Sequence, residues 1–203
     1  MLVKVFNVTE RSKIYTSNSY LVLGEWNTLH DLNTLVDVGS DPVVIDWIRN
    51  VYTGVGKKPV ERVILTHNHM DHNGALGAIK REFDPEVFAF SPGAGVDRLV
   101  KNGDRIRAGD DTFEVIHFPQ HSSDSICLYC RSARILFVGD SHVIVTGDDT
   151  SGSEPFTDIL IKLSALPIDS IYFGHGAPIL EGGDEAIRSS LSNIARNRSR
   201  KKK

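Results

Sequence analysis

The periodicity of apolar and polar positions predicts strands over residues 2–7, 19–23 and 34–38. The pattern then takes helical spacing over 42–51, where Asp41 stands as N-cap and Pro42 occupies the first turn. A short apolar run over 60–65 predicts another strand, which leads directly into Thr66-His67-Asn68-His69-Met70-Asp71-His72 and a helix-compatible stretch over 73–83. Strands are further predicted over 86–90, 105–108, 112–118, 125–129 and 135–138, with Gly109-Asp110-Asp111 and Arg131-Ser132-Ala133 as hairpin turns. A helix over 155–166, a strand over 170–173 and a helix over 184–197 complete the pattern. The strands fall in two blocks, each closed by helices. Hairpins demand antiparallel pairing, so this α+β pattern reads as two sheets packed face to face with helices outside, rather than one doubly wound sheet.

A chain of 203 residues, 40% hydrophobic and 24% charged, has the profile of one globular domain and buries about 70% of its unfolded surface without covalent help. That excludes a disordered polymer and a disulfide-stapled scaffold. The two cysteines, Cys127 and Cys130, fall within one predicted strand at a spacing that points them to opposite faces, so they read as buried structural residues. The chain start turns polar before a signal-peptide core can form, and no apolar run approaches the ~20 residues that span a bilayer, which gives a cytoplasmic protein without membrane contact as the expectation. Formal net charge is −3, yet Arg196, Arg198, Arg200, Lys201, Lys202 and Lys203 crowd the end, and without those six cations the body stands near −9. A domain over 1–195 followed by a basic, disordered tail over 196–203 is therefore expected. The tail is also the feature that would favour nucleic acid or an anionic surface as partner.

His67-x-His69-x-Asp71-His72 puts three imidazoles and a carboxylate within six residues at a predicted strand-to-helix turn, where side chains can converge. A packed core would desolvate such a cluster at a cost unless a metal ion met it. Imidazole nitrogen and carboxylate oxygen suit zinc, and also manganese or iron. Three further polar residues follow apolar strands beside Gly, Pro or Ser: His121, Asp140 after Gly139, and His175 after Gly174. Strand ends gathered on one rim would deliver all seven groups to one place.

In order, the aspartate of Leu35-Val36-Asp37-Val38-Gly39, the His67 to His72 cluster, His121, Gly139-Asp140 and Gly174-His175-Gly176 resemble the five-motif pattern of the metallo-β-lactamase-fold hydrolases. The resemblance implies a four-layer αββα sandwich with a dinuclear metal site on one edge. It implies that His67, His69 and His121 bind one divalent ion, that Asp71, His72 and His175 bind a second, that Asp140 bridges both, and that Asp37 supports the ligands. Zinc is the first expectation for both ions.

The implied activity is hydrolysis of a small thioester, ester or lactone by metal-bound hydroxide, with Asp71 orienting the nucleophile and passing a proton to the leaving group. A compact phosphodiesterase or nuclease of the same fold is the alternative, and a non-catalytic metal-binding module a third. Zinc β-lactamases commonly have cysteine where Gly139-Asp140 stands, which argues against antibiotic hydrolysis. The ligands are similar to those of glyoxalase II-like thioesterases, but only 27 residues follow Gly176, too few for the helical region that grips glutathione there. His142, two positions after Asp140, is a candidate substrate contact, with His117 a weaker one. The segments 40–41, 91–95 and 146–154 are expected to shape substrate choice.

Overall fold

Two mixed sheets account for the strands. The computed structural model describes residues 3–146 and 154–201. The first sheet runs in chain order through β1 (Lys4–Asn7), β2 (Tyr20–Leu23), β3 (Thr34–Val36), β4 (Arg62–Ile64), β5 (Glu86–Ala89) and β6 (Arg98–Leu99). The first three strands pair antiparallel and the last four parallel, with helices crossing over from β3 to β4 and from β4 to β5. The second sheet is a meander of β7 (Arg105–Ala108), β8 (Asp111–His117), β9 (Ile126–Cys130) and β10 (Ile135–Gly139), closed by β11 (Ser170–Phe173) lying parallel to β10. The hairpin turns fall where the sequence predicts them, with Ala108 opposite Asp111 and Cys130 opposite Ile135.

Period-2 alternation divides the apolar residues into layers. Tyr20 and Val22 of β2 face a core between the sheets, with Ile64, Leu128 and Phe137, whereas Leu21 and Leu23 face the first helices. There they meet Val44 and Ile48 of α1 (Val43–Asn50) and Ile79 and Phe83 of α3 (Leu76–Phe83). A third cluster joins Leu136 and Ile171 to Leu160 of α4 (Glu154–Ser164) and Ile187 and Ile194 of α5 (Gly183–Lys201). The layers are thus helix, sheet, sheet, helix, as expected. Cys127 lies in the third cluster and Cys130 in the first, on opposite faces of β9, and both are buried and unpaired.

The structure corrects three details. The helix expected over 73–83 is two pieces, α2 (Met70–Asn73) and α3, because tertiary partners take the hydrogen bond that would join them. Ser17 N donates to Asp71 O at 3.0 Å, and Ala75 N turns to Gly39 O at 2.9 Å. The strand expected over 34–38 stops at Val36, since Asp37 takes a left-handed backbone with φ 56°. The boundary expected at 195/196 falls inside α5, whose buried stripe of Ile187, Ser190, Ile194 and Asn197 extends past it, and Arg196 and Arg198 are helical. Strand β6, with both residues exposed, had no apolar pattern to reveal it. The segment 147–153 lies outside the described residues, and among those described no helix is long and apolar enough to cross a membrane.

Candidate metal centre

Five chain segments end on one rim of the sandwich. Asp37 directly follows β3, and β4 runs on to Thr66 and His67. His69 precedes α2, which carries Asp71 and His72. The loop from β8 to β9 supplies His121, Asp140 follows β10, and His175 lies just past β11.

All seven sequence-predicted ligand residues come together. The ligand atoms of His67, His69 and His121 lie within 4.8 Å of one another, as do those of Asp71, His72, Asp140 and His175. Asp140 stands between the groups: Oδ1 is 3.1 Å from His72 Nε2, and Oδ2 is 3.6 Å from both His121 Nε2 and His175 Nε2. Asp71 Oδ2 meets His175 Nε2 at 3.0 Å, and His121 Nε2 meets His69 Nδ1 at 2.9 Å.

Asp37 and Thr66 set the orientation of the buried rings. Asp37 Oδ2 is 2.8 Å from His72 Nδ1, turning Nε2 of that ring inward. The same carboxylate accepts from Thr66 N at 2.7 Å and from Thr66 Oγ1 at 2.8 Å. Because the threonine hydroxyl spends its one proton on Asp37, its 3.2 Å contact with His67 Nδ1 makes that nitrogen the donor and leaves a lone pair on His67 Nε2. Accordingly His67 Nε2, His72 Nε2 and Asp140 Oδ1 are buried polar atoms without an aligned hydrogen-bond partner. Buried polar atoms that converge at a rim without aligned partners are costly alone. Divalent cations, one at each ligand group, would satisfy these atoms, and the nitrogen and oxygen donor set fits zinc, manganese or iron.

The electrostatics agree. Burial pushes the His72 imidazolium down, but Asp37 and Asp140 outweigh it and raise the group to about 10. Burial would raise Asp140, yet the adjacent His72 and the neighbouring imidazoles lower it to about 2. Burial and the proximity of His72 lower His67 to about 4, and burial lowers His121 as well. His67 and His121 are therefore held as neutral imidazoles, while the second group contains two carboxylates.

The loop between β1 and β2, which sequence reasoning did not connect with the site, braces it. Asn18 N donates to Gly174 O at 2.6 Å, and Asn18 Nδ2 donates to Phe173 O and Gly176 O, pinning the turn that carries His175. Tyr15 stacks on the His175 ring with centroids 5.3 Å apart and planes 17° apart. Partial desolvation and the charges of Asp71 and Asp140 raise the Tyr15 phenol, which stays neutral. Thr66 stands next to the histidine cluster and was within reach of sequence reasoning; Tyr15 and Asn18 meet the site only through tertiary contacts.

His142 is exposed and shares a cavity of about 230 Å³ with His121, Asp140 and His175. Gln120, unremarked in the sequence, holds it: His142 N donates to Gln120 Oε1 at 3.0 Å, and the Gln120 Nε2 to His142 Nδ1 distance is 3.4 Å. His117 is occupied elsewhere, stacked on Phe90 at 4.0 Å and bonded through Nε2 to Ser123 O at 2.9 Å.

A family profile described as the Metallo-beta-lactamase superfamily matches residues 14–175, the span from Tyr15's loop to His175. The chain belongs to the metallo-beta-lactamase superfamily. Among superfamily relatives, it is similar to a hydroxyacylglutathione hydrolase of Rhizobium etli, 32% identical over 124 residues that make up 57% of this chain and 48% of the relative. It is also similar to an atrochrysone carboxyl ACP thioesterase of Aspergillus fumigatus, 28% identical over 181 residues, 81% of this chain and 42% of the relative. The chain thus spans about half the length of these curated relatives. A metallo-beta-lactamase family protein from Thermus thermophilus superposes with a TM-score of 0.67 at 17% identity, covering 98% of this chain and 80% of that one. The metallo-beta-lactamase GOB-18 from Elizabethkingia meningoseptica gives 0.67 at 17% identity, over 98% and 90% of the two chains. At such identities the solved structures establish the shared fold.

Proposed function

We propose that the protein is a dinuclear metal-dependent hydrolase of small thioesters, esters or lactones. The observation that carries the reading is Asp140, whose carboxylate reaches both ligand groups: Oδ1 lies beside His72, and Oδ2 is equally far from His121 of one group and His175 of the other. His67, His69 and His121 would hold one ion, Asp71, His72 and His175 the other, and Asp140 would serve both, with zinc as first choice. Bound there, the ions would polarise the acyl oxygen and bring the pKa of water toward ~7. The relatives named hydroxyacylglutathione hydrolase and ACP thioesterase favour acyl over phosphoryl transfer.

The chain's own residues supply the rest. Asp37 and Thr66 keep His72 and His67 in the orientations that point Nε2 inward. In the hydrolysis a water oxygen bonds to the acyl carbon, the bond from that carbon to sulfur or oxygen breaks, and one water proton reaches the departing atom. Asp71, partly exposed on the rim and held by His175, would carry that proton. The Gln120-held His142 would contact the acyl portion in its cavity.

Atomic spectroscopy on purified protein, with a panel of thioester, lactone and bis-p-nitrophenyl phosphate substrates, tests the reading. Two metal equivalents and turnover confined to the acyl substrates are expected. Turnover of the phosphodiester alone would replace the reading with the phosphodiesterase alternative, and two bound ions without any turnover would leave a metal-binding module.

A further inference from the structure

The rim opens on both sides of Asp140. On one side Val143, Ile144, Phe173 and His142 bound the cavity of about 230 Å³. On the other, Tyr15, Ser40, Met70 and Asp71 line a wider recess of about 460 Å³. His121 and Asp140 border both. A substrate whose reacting bond lies over Asp140 must therefore place its two halves in different recesses.

Asp71 lines only the wider recess, so a leaving atom that takes a proton from it departs on that side. The acyl group then occupies the narrower cavity. That cavity falls below the ~300–1,000 Å³ typical of a drug-sized ligand site and takes a fragment with an apolar body.

Tyr15 is 78% exposed and Met70 is 74% exposed, yet Tyr15 is not free to wander. Ser40 Oγ donates to Tyr15 O at 2.7 Å, Ser40 N donates to Thr16 Oγ1 at 2.8 Å, and the tyrosine ring is stacked on His175. An aromatic plane fixed in orientation and open on its other face is a stacking platform. Neither recess is lined by lysine or arginine among the described residues, and the sequence over 147–153 contains neither. Among the described residues, a leaving group with carboxylates of its own, such as glutathione, finds no lysine or arginine lining either recess.

Resting on the acyl-hydrolase reading above, we propose that Tyr15 is a specificity-determining residue that stacks an uncharged aromatic or apolar leaving group, while the Val143, Ile144 and Phe173 cavity takes a small apolar acyl group. The natural substrate class is then a short-chain acyl thioester or ester of an uncharged, aromatic-type partner.

The test compares hydrolysis of S-phenyl and S-glutathionyl thioesters of one short acyl group by the metal-loaded wild type, Tyr15→Ala and Tyr15→Phe. Calorimetric binding of thiophenol and of glutathione, which offer the metals the same sulfur, provides a readout independent of turnover. The phenyl thioester should be preferred. Tyr15→Ala should lower its kcat/KM by about threefold to tenfold, mainly through KM, and weaken thiophenol binding alike, while Tyr15→Phe keeps the preference. Equal or better use of the glutathione thioester, a preference that survives Tyr15→Ala, or a changed metal content in Tyr15→Ala would overturn the proposal. If neither thioester turns over but thiophenol binds in a Tyr15-dependent way, the platform stands and the hydrolase reading falls.

Discussion

Asp37 Oδ2 lies 2.8 Å from His72 Nδ1, and both side chains are buried. The carboxylate fixes the ring plane, strengthens the Nε2 donor and simultaneously closes the Thr66 hydrogen bonds, so one residue that touches no ion orients two ligands. Asp37→Asn keeps the shape, and asparagine tolerates the φ of 56° found here. It removes the charge that His72 faces. Metal affinity measured by competition with a chromophoric chelator should fall by about 10–100-fold with the circular-dichroism spectrum unchanged. Unaltered affinity would show that the pair serves folding alone.

In the metal-free protein the buried imidazoles govern the pH dependence of stability. His72 is raised from 6.5 to about 10, so its contribution is complete below ~6.5 and is lost as pH climbs toward 10. His67 is lowered from 6.5 to about 4, so the folded state resists its protonation and loses stability as pH falls from 6.5 toward 4. Asp140, lowered from 3.8 to about 2, adds a further loss below 3.8. Urea midpoints in excess chelator should therefore peak near pH 6.5 and decline on both sides. Metal binding must displace the His72 proton, so the alkaline decline should disappear on loading, with proton release in calorimetry at pH 8. A metal-free midpoint that stays level from pH 6.5 to 10 contradicts this account.

Much of the site was legible because its ligands cluster in sequence or follow apolar strands. His67, His69, Asp71 and His72 occupy a single turn, and His121, Asp140 and His175 each close a readable strand or its following loop. The layers were legible from the hairpin turns and from the apolar runs of β2, β9 and β10, whose residues are buried on both faces. Tertiary substitutions for local bonds were not legible. Nothing in the chain near Asp71 announces that Ser17 will take its carbonyl and split the helix there. Tyr15 likewise sits in a polar loop and acquires meaning only against His175, 160 residues away in the chain.

Asp71 carries two duties in the proposed reaction, as a ligand and as a proton carrier. Asp71→Asn preserves an oxygen donor but cannot shuttle a proton. Turnover should drop by about 10²–10⁴-fold. The loss should shrink for esters with leaving groups of low pKa, which depart without protonation. A variant that retains both ions and full kcat on a poor leaving group would assign the proton transfer elsewhere.

Gly174 and Gly176 flank His175, and the structure separates what each glycine does. A Cβ at Gly174 would collide with Asp140 Oδ1 and approach His72 Cε1 to 2.7 Å, although Gly174 has no left-handed backbone to accommodate. At Gly176 the situation is reversed: φ is 84°, and nothing lies within 4 Å of an added Cβ. Gly174→Ala should therefore displace the shared carboxylate and the buried imidazole, so that bound metal falls well below two equivalents while overpacking costs about 1–3 kcal/mol. Gly176→Ala should cost about 1–2 kcal/mol through backbone strain and keep its metal. Metal analysis paired with urea melts distinguishes the two effects. A full complement of metal in Gly174→Ala would mean that Asp140 and His72 can move aside without loosening the site, and the close packing of that glycine would then have no bearing on metal binding.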